Sequence, residues 1–141
     1  MMGWSLLVSI VRHPLLRVAA ALGWTALACL LMLLPGEDTV AEDTSNFFGG
    51  TDSTDAFGHV LLFGALTVLW YAALICWLAP ALALRVALLL GAAFGLLLEL
   101  GQGFVPERGI SPLDFTANAL GVLVGAALLA ALSRRLSAQS G

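Results

Sequence analysis

Seven side chains able to do acid–base or binding chemistry fall into short clusters. Asp55 and His59 are four residues apart, Glu99 and Gln102 three apart, and Asp114 and Asn118 four apart, with Arg108 lying between the last two pairs. Residues three or four apart on a helix share a face, so each pair puts two polar groups on one surface. An imidazole next to a carboxylate is a general base with its orienting group, and a second, desolvated carboxylate such as Glu99 is a matching acid. The same groups could instead hold a ligand. Arg108 and His59 offer positive charge, and a helix N-terminus beside them favours an anion.

The elements that must position these groups are apolar. A helix that crosses the hydrocarbon core of a membrane needs roughly 20 apolar residues. Uncharged runs of that order extend from Arg17 to Glu37, from His59 to Arg85 and from Asp114 to Arg134. A fourth run, from Arg85 to Glu107, is interrupted only by Glu99. The reading is four transmembrane helices at about 15–35, 56–78, 82–104 and 113–133, in one domain spanning 1–141. The fold class is all-α, a polytopic four-helix membrane bundle, because such runs lack the alternation of barrel strands. Helix 1 is expected to be retained rather than cleaved: its run exceeds a signal-peptide core, and Leu33-Leu34-Pro35-Gly36 offers no small-residue cleavage site.

Composition agrees. The chain is 60% hydrophobic and 11% charged, with mean hydropathy +0.99. Soluble domains carry about 25% charged residues, and six Arg, nine acids and no Lys cannot cover a soluble surface of this size. A conventional soluble enzyme and a disordered tail are excluded. So is a nucleic-acid binder, since the net charge is −3 and no basic stripe is present.

Arginine placement predicts orientation. Arg12 and Arg17 precede helix 1, Arg85 joins helices 2 and 3, and Arg134 and Arg135 follow helix 4. Those segments share one side, so both termini are expected in the cytoplasm. The 36–55 loop then faces outward with Glu37, Asp38, Glu42, Asp43, Asp52 and Asp55; its acids lack the spacing of an EF-hand. All seven polar candidates fall at the outer third of the membrane or just above it. Cys29 and Cys76 sit at different depths and are expected to stay unbridged.

Several of these residues have structural uses. Asp55 suits the positive end of a helix. Ser111-Pro112-Leu113-Asp114 matches a capping box with Pro in the first helical position. Glu99 and Asn118 are harder to explain away, since each lies inside an apolar run and must find a partner. Gly91 and Gly95 align with Glu99, while Gly121 and Gly125 align with Asp114 and Asn118. Such stripes permit close helix approach and are expected to join the polar ends of helices 3 and 4.

The segment from Glu99 to Gly125 reads E-x-x-Q, a short Pro/Arg loop with Arg108, then D-x-x-x-N-x-x-G-x-x-x-G. It resembles the VanZ-like family. Asp55-Ala56-Phe57-Gly58-His59 is similar to that family's D-K-x-x-H, with Ala56 where the family usually has Lys. If that Lys contacts an anionic ligand, this protein must do without it or use Arg108. The resemblance covers about residues 55–125. It implies a small multi-pass protein of the bacterial cytoplasmic (inner) membrane, in a family whose named member confers low-level resistance to the lipid-tailed glycopeptide teicoplanin.

Three functions remain open. In the first, Asp55, His59, Glu99, Gln102, Arg108, Asp114 and Asn118 form an outward-facing site for a membrane lipid or lipid-linked wall precursor. In the second, the protein is an intramembrane hydrolase or transferase on a lipid head group, with His59 as base and Glu99 as acid; a metal version would use His59, Glu99 and Asp114. No HExxH, CxxC or GxSxG sequence supports that version, so no metal or cofactor is expected. In the third, the polar groups interlock helices 2, 3 and 4 and the protein assists a partner. A transporter is disfavoured, because no ionisable residue lies in the cytoplasmic halves of the helices.

Overall fold

The computed structural model describes residues 13–34, 52–106 and 108–139. These form four α-helices, and no strand occurs among them: α1 Pro14–Leu33, α2 Asp52–Leu74, α3 Pro80–Gln102 and α4 Pro112–Gln139. Each is long and apolar enough to cross a membrane. Three of the four open on proline, which is pre-set for the first turn and lacks the N–H that would go unpaired there. Ala79, just before Pro80, is extended at φ −58° and ψ 144°, as the clash with a following proline ring requires. Leu34 likewise leaves α1 in extended geometry ahead of Pro35.

Two helices differ in extent from the sequence reading. Helix α2 begins at Asp52 and ends at Leu74, so it starts and finishes earlier than 56–78. Acidic residues suit a helix N-terminus, so Asp52 and Asp55 lie inside the helix rather than before it. Helix α4 runs to Gln139, past Arg134 and Arg135. Charge ends the apolar span, but arginine is a good helix former, so the helix continues. Most of the acidic loop, residues 35–51, lies outside the described residues, as does Glu107.

Helices α2 and α3 each pack against the other three, while the described residues of α1 and α4 do not meet. The core joins Ala28, Met32, Phe63, Leu66, Leu98 and Val122. Large apolar side chains also cover the outside: Leu89 is 70% exposed and Leu97 64%. Such a surface suits lipid, where apolar contact alone does little to hold helices together, and where small residues and hydrogen bonds do more. Helix α1 is tied on by Trp24 Nε1 donating to the Leu62 carbonyl (2.9 Å), by Trp70 Nε1 donating to Thr25 Oγ1 (3.1 Å), and by Arg17 donating to the Ala72 carbonyl (3.2 Å). Both cysteines are free.

The α3 glycines meet α4 as the sequence suggests, but the α4 glycines meet a helix it does not suggest. A Cβ on Gly121 would fall 2.5 Å from the Val60 carbonyl oxygen, and one on Gly125 would fall 2.6 Å from that of Gly64. Both therefore seat α4 directly on the backbone of α2. The α3 glycines face both helices: Gly91 meets Thr67 and Val122, and Gly95 meets Phe63 and Asn118. Gly121→Ala and Gly125→Ala are each expected to cost about 1–3 kcal/mol through overpacking against rigid backbone. Gly23→Ala, with open space around it, should be neutral or stabilising. Thermal unfolding in detergent checks this, and equal melting temperatures for all three variants would rule out the close α2–α4 seat.

Candidate functional site

The polar candidates collect at the end of the bundle where α2 and α4 begin and α1 and α3 finish. Helix ends leave backbone groups unpaired, and four of these side chains form three bridges between helices there. Gln102 Nε2 donates to the Met32 carbonyl at 3.1 Å, closing the last turn of α1 from α3. Glu99 Oε1 accepts the Ser111 N–H at 2.5 Å, joining α3 to the start of α4. His59 Nδ1 and Asn118 Oδ1 lie 2.8 Å apart, joining α2 to α4. Glu99, Gln102, Asn118 and His59 are all buried.

The start of α4 is a capping box with one member exchanged. Ser111 Oγ accepts the Asp114 N–H at 3.2 Å, as an N-cap serine should. In a self-contained box the carboxylate three residues on would reach back to the Ser111 N–H. Glu99 of α3 does so instead. The Asp114 carboxylate is thereby released, and it turns toward α2. Donor atoms of Asp55, His59 and Asp114 all lie within 4.8 Å of one another.

The sequence reading is corrected at two points. The imidazole is held by Asn118 rather than by Asp55, and the cluster with metal-ligand geometry contains Asp55 where Glu99 was expected. The reason is common to both. Spacing along one helix reveals which residues share a face, but the partner comes from a neighbouring helix. Asp55 and His59 do share a face of α2, and Asp114 and Asn118 one of α4, as their spacing predicts.

Three of the four bridging side chains also keep one atom unused. Glu99 Oε2, Gln102 Oε1 and Asn118 Nδ2 are buried and have no hydrogen-bond partner among the described residues, and Arg108 Nε is in the same state. Sequence reasoning missed the Met32 carbonyl, which has no side-chain signature. It also missed Gly95 as a site element, although its place four residues before Glu99 was visible. A Cβ there would meet Asn118 Cβ at 3.2 Å, so its absence lets α3 pass close to the His59–Asn118 pair.

The model of the VanZ/LLP1 family matches residues 13–133, which take in all four apolar spans and all seven polar residues. The chain belongs to the VanZ/LLP1 family. It is thus a multi-pass membrane protein of that family, and the match extends through α1, beyond the segment 55–125 that carries the resemblance in sequence. No curated protein and no solved structure matches the chain significantly.

For this VanZ/LLP1 member the Glu99–Ser111 bond predicts a graded stability series. Ser111→Ala loses a cap and should cost about 1 kcal/mol. Glu99→Ala leaves a partly buried N–H unpaired and should cost about 1–3 kcal/mol, whereas Glu99→Gln retains an acceptor and should cost less. Unfolding midpoints in detergent test the order, which a Glu99→Ala variant as stable as wild type would reverse.

Proposed function

We propose that this protein binds the polar head of a lipid or lipid-linked envelope precursor at the outer face of the bacterial cytoplasmic membrane. The observation that carries the reading is the set of buried atoms without a partner among the described residues at one end of an otherwise apolar bundle. Burying a polar group without a partner costs several kcal/mol in such surroundings, and four such atoms belong to Glu99, Gln102, Arg108 and Asn118.

The set also describes the ligand. Arg108 Nε and Asn118 Nδ2 are donors, whereas Glu99 Oε2, when ionised, and Gln102 Oε1 are acceptors. A bare phosphate accepts only. A head group that combines a phosphate with hydroxyls or an amine answers both halves, with the phosphate toward Arg108 and the hydroxyls or amine toward Glu99 and Gln102. Among the described residues Arg108 is the single arginine at this end, so it takes the role of the cation that Ala56 does not supply. Both helices that begin here add the positive ends of their dipoles.

The arginine distribution favours placing this end outward and both termini in the cytoplasm. A ligand held there by its head would keep its chains against the apolar helix faces. Reduced susceptibility to teicoplanin, which also carries a lipid tail and acts on the wall, would then follow from occupancy of that ligand or of the drug.

Native mass spectrometry of the protein released from its own membrane tests the reading, with Arg108→Ala and Glu99→Gln variants alongside. Wild type is expected to retain a lipid or precursor carrying both phosphate and hydroxyl or amine groups, and both variants to retain much less. Equal emptiness of all three folded proteins would overturn it and leave the polar groups as helix glue. A fluorescent reporter fused after Gly141 should be bright if the C-terminus is cytoplasmic, and dark if the orientation is inverted.

A further inference from the structure

We infer that Asp55, His59 and Asp114 bind one divalent transition-metal ion, of the zinc or manganese class, between the first turns of α2 and α4. The inference goes beyond head-group binding and stands without it. Donor atoms of the three residues lie within 4.8 Å of one another. Two nitrogen or oxygen ligands of one zinc ion, each about 2.0–2.2 Å from it, are separated by no more than about 4.4 Å. The cluster is therefore close to the size of a coordination sphere, and its side chains must draw slightly inward to close around an ion.

The histidine is prepared for the role. Asn118 Oδ1 lies 2.8 Å from His59 Nδ1. With that oxygen as acceptor, Nδ1 carries the proton and Nε2 keeps its lone pair. Metal-bound histidines characteristically donate their other ring N–H to such a partner, which fixes both tautomer and orientation. A second observation points the same way. Asn118 is 2% exposed, and its Nδ2 has no partner among the described residues. Because its Oδ1 is fixed on His59, this N–H is held beside the imidazole, one helical turn from Asp114, where an ion-bound water or carboxylate oxygen would accept it.

Charge completes the argument. Two ionised carboxylates this close disfavour each other, and among the described residues no arginine pairs with either. An ion removes that repulsion. The donor set of one imidazole and two carboxylates is a mixed nitrogen–oxygen set, suited to zinc or manganese more than to calcium or magnesium. Three protein ligands would leave a position open for water or a head-group oxygen. Glu99 is outside the set because its Oε1 is committed to Ser111, and that commitment is what leaves Asp114 free to join.

The test is calorimetric titration of the chelator-stripped full chain in lipid nanodiscs with Zn²⁺, then Mn²⁺. The wild type is expected to bind one ion. Asp55→Asn and Asp114→Asn, which keep the side-chain shape, should weaken binding at least 100-fold. Asn118→Ala should weaken it roughly 10–100-fold through loss of the outer partner. His13→Ala, at the opposite end of the bundle, should bind as wild type does. The inference is overturned if folded wild type takes up neither ion, if both Asp→Asn variants bind unchanged, or if only Ca²⁺ or Mg²⁺ binds. Should the Asn variants fail to fold, X-ray absorption of the zinc-loaded wild type decides. A nitrogen–oxygen shell with one imidazole supports the site, whereas a shell containing sulfur or two imidazoles rejects it.

Discussion

A peptide N–H at the start of a helix has no partner within that helix, and in an apolar bundle water is a poor substitute. For α4 that N–H belongs to Ser111, and the carboxylate that answers it comes from Glu99 of α3. Much of the site follows from this bond. It gives a buried carboxylate a reason to lie inside an apolar helix, and it pins the end of α3 to the start of α4. It also relieves Asp114 of a local duty, so that Asp114 turns to α2 and joins Asp55 and His59. Had Asp114 closed its own capping box, that cluster would lack its third member.

The second requirement is closeness. Asparagine is short, and its amide meets the imidazole of a facing helix at 2.8 Å only if the two backbones nearly touch. Gly121 lies three residues beyond Asn118, and the Val60 backbone on which it sits follows His59 directly. Gly125 repeats the contact one turn deeper, at Gly64. The glycines thus set the distance across which His59 and Asn118 bond. Packing and polar contact are one arrangement here, not two, as expected where apolar burial supplies little force between helices.

The four helices were legible because uncharged runs of this length have few alternatives, and Ser111-Pro112 marked the start of the last. Their ends were less so at Asp52 and Gln139, since acids and arginines interrupt hydropathy without interrupting a helix. The seven polar residues were legible as same-face pairs. Their cross-helix partners were not, because an i, i+4 spacing is a property of one helix. The bond from Gln102 to the Met32 carbonyl left no trace in side-chain types at all. The Gly121–Gly125 stripe announced a close neighbour, but spacing alone pointed to α3, whereas the structure seats it on α2.

Glu99, Gln102 and Asn118 share an unusual economy. Each commits one polar atom to holding helices together and leaves the other buried without a partner among the described residues. A network that served stability alone would be expected to satisfy both atoms, since a half-satisfied buried network is less favourable than an apolar one. A site that served binding alone would have no need to bridge three helix joints. Under the proposed head-group binding, the split places fold and ligand recognition on the same side chains, with one atom for each. Truncation then removes both functions at once, whereas an isosteric amide or acid exchange alters the unpaired atom and largely keeps the bridge. Separating the two roles therefore depends on chemistry at single atoms rather than on deletion of whole side chains.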